Sequence, residues 1–219
     1  MPNKTNFFWE ENIVTKPIPD NEIKFDVIVV GGGPAGSAAA CYAADEGLKV
    51  LLLEKDNYPR DKVCGDAVGG KALKHLEELK ILDTLEKSPH FIFDSVIFSN
   101  TKEEKVKVEI KDSEAKGYVY PRLNFDWIMF NEAKSRVENK GGFVIQNFRV
   151  NSLLIDDKDN ERIIGIKGKN EIGEKEFYAP ITIGAGGVNC PVAKTIITEI
   201  NDEEFIEKEH WSSSFRQYW

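Results

Sequence analysis

Apolar positions along this chain fall into runs of two kinds. "FDVIVV" at 25–30 and "LKVLLLEK" at 48–55 are unbroken and rich in β-branched residues or leucine, as in strands buried on both faces. Between them lie "GGGPAG" and then "SAAACYAADEG", a run of good helix formers ending at Gly47. Strand, glycine turn, helix, strand is a βαβ unit. Residues 57–70 have loop composition, and "KALKHLEELKILDTLEK" then spaces Leu73, Leu76, Leu79 and Leu82 along one helical face. "FDSVIFSN" and "EKVKVEIKD", within Phe91–Val119, alternate as antiparallel strands with one solvated face. Helical character returns at Asn124–Asn139, with Trp127, Ile128, Phe130 and Ala133 as the apolar side. Residues 143–184, with "FVIQNFRVNSLLID", "RIIGIKG" and "KEFYAPITIGAGG", read as a β-meander followed by a strand ending at Gly184.

These patterns divide the chain into an extension at 1–24, a βαβ part at 25–90, inserted antiparallel strands at 91–119, a part with the meander at 120–195 and a last segment at 196–219. The extension carries Pro2, Pro17 and Pro19 and an aromatic cluster, Phe7, Phe8 and Trp9, that would dock on the domain or meet a membrane surface. The final "HWSSSFRQYW" reads as the start of an amphipathic segment.

Composition narrows the picture. In 219 residues, 41% hydrophobic and 30% charged is ordinary for a globular chain, and no apolar run approaches the length of a membrane span. A formal charge of −8 argues against a nucleic-acid partner. No signal-peptide pattern opens the chain, so a cytoplasmic protein is the expectation. Three cysteines, Cys41, Cys64 and Cys190, are widely spaced with no CxxC pair, which disfavours a zinc site or a disulfide framework. Cys41 falls in the first helix as a small buried residue.

Gly31, Gly33 and Gly36 follow a strand and open a helix, the context in which GxGxxG binds a dinucleotide. Gly31 permits the tight turn, Gly33 admits a pyrophosphate, and Gly36 lets helix and strand pack closely. Pro34 takes an early helical position, and the helix N-terminus offers free N–H groups to a phosphate. Glu54 ends the second strand, where a carboxylate accepts hydrogen bonds from ribose hydroxyls and disfavours a 2′-phosphate, so FAD or NAD is expected rather than NADP. The stretch "YPRDKVCGDAVGG", Tyr58–Gly70, sets Cys64 beside Arg60, Lys62 and Asp66. Arg60 and Lys62 are candidate solvated loop cations or cofactor contacts, and Asp66 is a candidate N-cap or turn acid for the helix that begins near Gly70.

"DVIVVGGGPAGSAAA", "EKDNYPRDKVCGDAVG", "YPRLNFDWIMFNEA" and "TIGAGGVNCPVAK" occur in the order of the FAD-binding segments of the geranylgeranyl reductase family, within the p-hydroxybenzoate hydroxylase-like flavoproteins, and this chain resembles that family from Phe25 to Lys194. The resemblance implies an α/β, Rossmann-like FAD-binding fold in three layers, with a β-meander and the start of an antiparallel substrate sheet. It implies FAD, with Gly36 at the pyrophosphate, Glu54 at the ribose, Arg122 in contact with the cofactor, and Cys64, Gly65 and Ala67 along the flavin. Val150 would bracket the adenine, and Gly31, Gly33, Ala35, Lys55 and Gly187 complete the cofactor-binding set. Arg122 could instead only pair with Asp126, four residues on.

The implied activity is FAD-dependent reduction of prenyl double bonds in a prenylated small molecule or lipid, fed by an external donor such as NAD(P)H or ferredoxin. Cys64 is the candidate catalytic residue, for proton delivery or flavin tuning, with simple packing as the alternative. A monooxygenase or halogenase-like enzyme, or a non-catalytic FAD-binding module, are the competing readings. The chain departs from the family's "GADGxxS" with "GAGGVNC", placing Gly186 at an acidic position and Cys190 at a hydroxyl position, which would weaken cofactor binding. The family's further substrate sheet, second "GD" segment and helical part are missing, as in a fragment, a split gene or a remnant.

Overall fold

The computed structural model describes residues 12–109, 117–206, 209 and 212–213. The aromatic cluster Phe7–Trp9, residues 110–116 and all but two residues of "HWSSSFRQYW" lie outside them.

Strands β1 (Val27–Val30) and β2 (Val50–Leu53) are buried at all positions. Successive side chains point to opposite faces, and the two faces meet different layers. Val27, Val29, Val50 and Leu52 join a core with Ala40, Cys41, Phe130 and Ala133, from helices α1 (Pro34–Asp45) and α4 (Arg122–Asn139). Ile28, Val30, Leu51 and Leu53 join a second core with Leu153, Ile166 and Phe177. Those residues come from an antiparallel meander of β9 (Arg149–Asp156), β10 (Asp159–Lys169) and β11 (Glu174–Tyr178). Helices, parallel sheet and meander are the three layers the unbroken apolar runs require.

The central sheet has the order β12–β1–β2–β8, all parallel, with β8 at Phe143–Ile145 and β12 at Ile181–Gly184. "FVIQNFRVNSLLID" is thus two strands, a correction to the continuous meander read from the sequence. Phe143–Ile145 pairs with Leu51–Leu53, and the chain leaves the sheet before β9. Asn147 adopts φ 52° at the turn.

The leucine-spaced stretch is also two elements, α2 (Lys71–Glu78) and α3 (Leu82–Lys87). Lys80 sits at φ 57° between them. The Arg136 guanidinium, arriving from α4, donates to the Leu79 carbonyl and satisfies the end of the first helix. Leu76, Leu79, Ile81 and Leu85 are still buried in the helix-side core.

Strand β7 (Gly117–Val119) lies antiparallel between β3 (Ala67–Val68) and β4 (Phe91–Phe93). Among the described residues, strands β5 (Ser95–Ser99) and β6 (Lys105–Glu109) pair only with each other. The described strands between Phe91 and Val119 are thus antiparallel and fall into two small sheets, one of which also takes in β3. Residues 12–24 form neither helix nor strand, but Ile13 is buried and its carbonyl accepts from Gln146 Nε2 at 2.7 Å. After β12, a 3₁₀ turn at Gly187–Asn189 leads to α5 (Pro191–Thr195) and a π turn at Ile196–Ile200.

Candidate nucleotide site

The glycines of GxGxxG serve different ends. Gly31 has φ 107°, and a Cβ there would sit 2.5 Å from the Ala185 carbonyl oxygen, where the ends of β1 and β12 converge. A Cβ on Gly36 would overlap the Gly31 carbonyl oxygen. Both positions let backbone meet backbone. Gly33 differs: its backbone is ordinary at φ −67° and ψ −176°, and a Cβ would find no heavy atom nearer than Arg60 Nη2, at 3.6 Å. It is the N-cap of α1, no side chain caps the helix, and Pro34 occupies the first turn. The helix therefore presents uncapped N–H groups and its positive dipole end at Gly33.

A cavity of about 720 Å³ opens there. Gly31, Gly33, Ala35, Glu54, Lys55, Arg122, Val150 and Gly187, all expected in the cofactor set, line it. Gly36, Cys64, Gly65 and Ala67 do not, so the structure does not bring the Cys64 turn to the same wall. Five cations, Lys55, Arg60, Lys62, Arg122 and Arg149, face three carboxylates, Glu54, Asp56 and Asp61, around this wall. With buried Asp126 paired to two of these arginines, five cations stand against four carboxylates, a small positive excess in a chain of formal charge −8, which suits an anionic ligand.

Glu54 is 4% exposed, not the solvated end of a strand. Its Oε2 accepts the Gly32 N–H at 2.7 Å and its Oε1 the Asp56 N–H at 3.0 Å. Arg60 approaches the same carboxylate at 3.7 Å through Nη2 and donates through Nη1 to Asp126 Oδ2 at 2.9 Å. It lies over the Tyr58 ring at 4.8 Å, and its buried Nε has no hydrogen-bond partner among the described residues. Tyr58 in turn stacks on Phe130 at 4.3 Å and donates its hydroxyl to the Gly32 carbonyl at 2.8 Å. Burial raises the pKa of that phenol, so the hydroxyl remains a donor. Arg60 is therefore a half-enclosed bridge and not a solvated loop cation. The sequence offered no signal that Asp126, 66 positions away, would meet it.

Arg122 both lines the cavity and pairs with Asp126. Its Nε and Nη2 reach the two carboxylate oxygens at 2.6 and 2.7 Å, a forked geometry. Asp126 is fully buried and serves both arginines.

Cys64 is partly exposed and contacts the Arg122 side chain. Burial pushes its thiol pKa up, but hydrogen bonds from the Asp66 backbone and Arg122, with the Arg122 charge, outweigh this and hold it below the ordinary value. Asp66 itself is buried at φ 60°, and the N-cap of α2 is Gly70 with no side-chain cap. The capping role expected for Asp66 is thus corrected. Burial pushes the Cys41 thiol up to about 12, and Cys190 is buried. At the departing turn, Gly186 has an ordinary φ of −78°, and a Cβ there would lie 3.1 Å from Cys190 Cα. Gly187, at φ 75°, closes the turn against Lys62. Among the described residues no group of three or more His, Cys, Asp or Glu side chains could hold a metal ion, and no helix is long and apolar enough to cross a membrane.

The chain belongs to the FAD binding domain family, whose pattern it matches over residues 24–216. Within that class it is similar to digeranylgeranylglycerophospholipid reductases. It is 36% identical to the one from Methanosarcina mazei, over 78% of this chain and 40% of that protein, and 31% identical to one from Methanopyrus kandleri, over 79% of this chain and 42% of that protein. Among solved structures, a myxobacterial chondrochloren halogenase is 26% identical with a TM-score of 0.67, covering 76% of this chain and 38% of that one. The expected resemblance and Rossmann-like fold are borne out. The chain spans about two fifths of the length of these two reductases.

Proposed function

We propose that this chain supplies the FAD-binding part of a flavin-dependent reductase of prenyl carbon–carbon double bonds. The observation that carries the reading is the cavity where the uncapped N-terminus of α1, the Gly33 backbone and a cluster of cations face Glu54. A pyrophosphate suits that wall: Gly33 leaves open the space a Cβ would take, and Arg60, Lys62 and Arg122 offset its charge. Glu54, held by two backbone N–H groups, would accept ribose hydroxyls, and Lys55 and Val150 would flank the adenosine end. When bound, FAD would supply hydride to an alkene carbon, a proton completing the reduction, after taking two electrons from an external donor, as hydride from NAD(P)H or one at a time from two reduced ferredoxins with a proton. The chain's own residues bind and orient it. Cys64, held beside Arg122, would serve proton delivery or packing.

Similarity to the digeranylgeranylglycerophospholipid reductases favours a prenylated lipid substrate, and a family arrangement of 25–90 and 120–195 as the cofactor part with 91–119 on the substrate side. The halogenase similarity favours the second reading, an oxygen-using enzyme. Purified protein mixed with FAD and passed through gel filtration tests the binding step: a co-migrating flavin spectrum supports it, and flavin eluting free refutes it. With a chemical reductant and a geranylgeranylated lipid, a mass gain of one hydrogen pair per double bond supports the reductase. Halide incorporation with oxygen supports the alternative.

A further inference from the structure

We propose that Gln146 is a positioning residue for the cavity wall at the N-terminus of α1, and that it transmits to that wall the docking of the segment around Ile13. Its effect on ligand affinity rests on the reading of the cavity as a nucleotide site; the contacts themselves do not. Neither Gln146 nor Ile13 lines the cavity. The Gln146 carboxamide accepts the Tyr58 N–H through Oε1 at 2.7 Å and donates through Nε2 to the Ile13 carbonyl at 2.7 Å. An N–H can only donate and a carbonyl can only accept, so the two partners fix which end of the amide faces which. An ionised glutamate keeps only the first bond, and a methionine keeps neither. Tyr58 carries the constraint onward. Its hydroxyl donates to the Gly32 carbonyl at 2.8 Å, and its ring lies under the Arg60 guanidinium at 4.8 Å. Gly32 gives its own N–H to Glu54, and both Glu54 and Arg60 line the cavity. An unbroken chain of contacts thus joins Ile13 to the carboxylate and one of the cations of the wall.

The segment has anchors of its own. The Ile13 side chain is buried in the core that also holds Tyr58, Phe130 and Val144. Three residues on, the Lys16 N–H donates to Glu138 Oε1 at 3.2 Å, near the end of α4. The Glu138 side chain is only 8% exposed and also meets Lys134 Nζ at 3.6 Å. Ile18 packs against the meander-side core, so residues 13–18 join the two cores, with Gln146 directly after the edge strand β8. Ordering a stretch without helix or strand costs conformational entropy, and these contacts offset it. The loop after β2 has the opposite need. Among the described residues no element lies between Leu53 and Ala67, so Tyr58 and Arg60 depend on side-chain tethers for their place. Holding a loop in its binding arrangement lowers the ordering cost that a ligand would otherwise meet. Such coupling is reciprocal, so an occupied cavity also holds the Ile13 segment more firmly.

Flavin-fluorescence titration of the parent, Gln146→Met, a chain lacking residues 1–16, and the two changes combined tests the coupling. Each single change is expected to weaken FAD binding about three- to tenfold, the worth of one hydrogen bond. The combination is expected to lie within about twofold of Gln146→Met, because the deletion acts through that side chain. Losses that multiply in the combination, or affinity within about 1.5-fold of the parent in either single variant, overturn the proposal. Ile81→Val, a core change off this chain of contacts, is expected to lower the melting temperature and leave affinity within about 1.5-fold. An equal loss of affinity there reduces Gln146 to general stability and overturns it too. Hydrogen exchange of the ligand-free protein decides the positioning role without FAD. Peptides over 56–62 are expected to exchange at least about threefold faster in Gln146→Met, and also in Gln146→Glu, which stands in for the deletion if the shortened chain is insoluble; peptides over 174–178 are expected to stay unchanged. Parental exchange at 56–62 in either variant overturns the proposal. Faster exchange there in a chain whose parent binds no FAD upholds the tether and sinks the nucleotide reading instead.

Discussion

Replacing Gly33 separates ligand binding from folding in a way no other glycine of the turn allows. At φ −67° and ψ −176° a side chain is conformationally acceptable, and a Cβ meets its first heavy atom at 3.6 Å. Gly33→Ala should therefore fold as well as the parent, with loss of unfolded-state freedom adding about 0.4–1 kcal/mol of stability. Gly33→Val extends the obstruction into the cavity, between the helix N-terminus and an arriving phosphate. Losing two hydrogen bonds to a charged group removes about 3–6 kcal/mol, or roughly 10²–10⁴ in affinity. Gly36→Ala is the counterpart, because its Cβ would overlap the Gly31 carbonyl oxygen and force the helix off the strand, at about 3 kcal/mol or more. Flavin-fluorescence titration and thermal melting of the three variants form the assay. Binding by Gly33→Val within about threefold of the parent, or a parental melt for Gly36→Ala, would refute the division of roles; a threefold change is only ~0.65 kcal/mol, far below the predicted loss.

Asp126→Asn leaves Arg60 and Arg122 facing each other without their shared carboxylate; breaking such a buried pair removes about 3–5 kcal/mol and should lower the melting temperature by about 6–20 °C. A melt unchanged by Asp126→Asn would mean the arginines are held by other contacts. Alkylation by iodoacetamide should label Cys64 and spare buried Cys41 and Cys190, with its pH midpoint below the ordinary thiol value of 9.0 and rising in Arg122→Ala. Since the folded pKa is the lower one, the fold holds fewer protons. The Cys64 contribution to stability is then full above the unfolded thiol pKa and is lost as pH falls through the folded value. A midpoint unmoved by Arg122→Ala sinks that coupling. Gly186→Asp should destabilise by about 1–3 kcal/mol by crowding Cys190, and Cys190→Ala in the same chain should recover part of this in a chemical melt; equal stability of the single and double variants would rule the contact out.

The three layers were legible because their signals are local. "VIVV" and "VLLL" can be buried on both faces only in the middle of a sandwich, and Gly31–Gly36 can turn only where strand becomes helix. The residues that line the cavity were legible through the same segments, down to Glu54 and Arg122. What escaped depends on partners far along the chain. The end of α2 at Leu79 is stabilised by Arg136, 57 residues later, so a continuous leucine spacing hid a break. Arg60 reads as a loop cation until α4 brings Asp126 beside it. Strand β8 reads as part of the meander until its pairing with β2 is seen, since alternation alone does not say which sheet a strand joins.

The two backbone bonds that hold Glu54 have a kinetic and thermodynamic consequence beyond orientation. With Gly32 and Asp56 fixing its carboxylate before any ligand arrives, the side chain has no rotamer freedom left to surrender on binding. Ordering such a group at an interface ordinarily costs about 0.5–1.5 kcal/mol. Here that entropy is lost during folding, so the proposed site would meet a nucleotide preorganised, and association should proceed as a single docking step with no slow rearrangement of this wall.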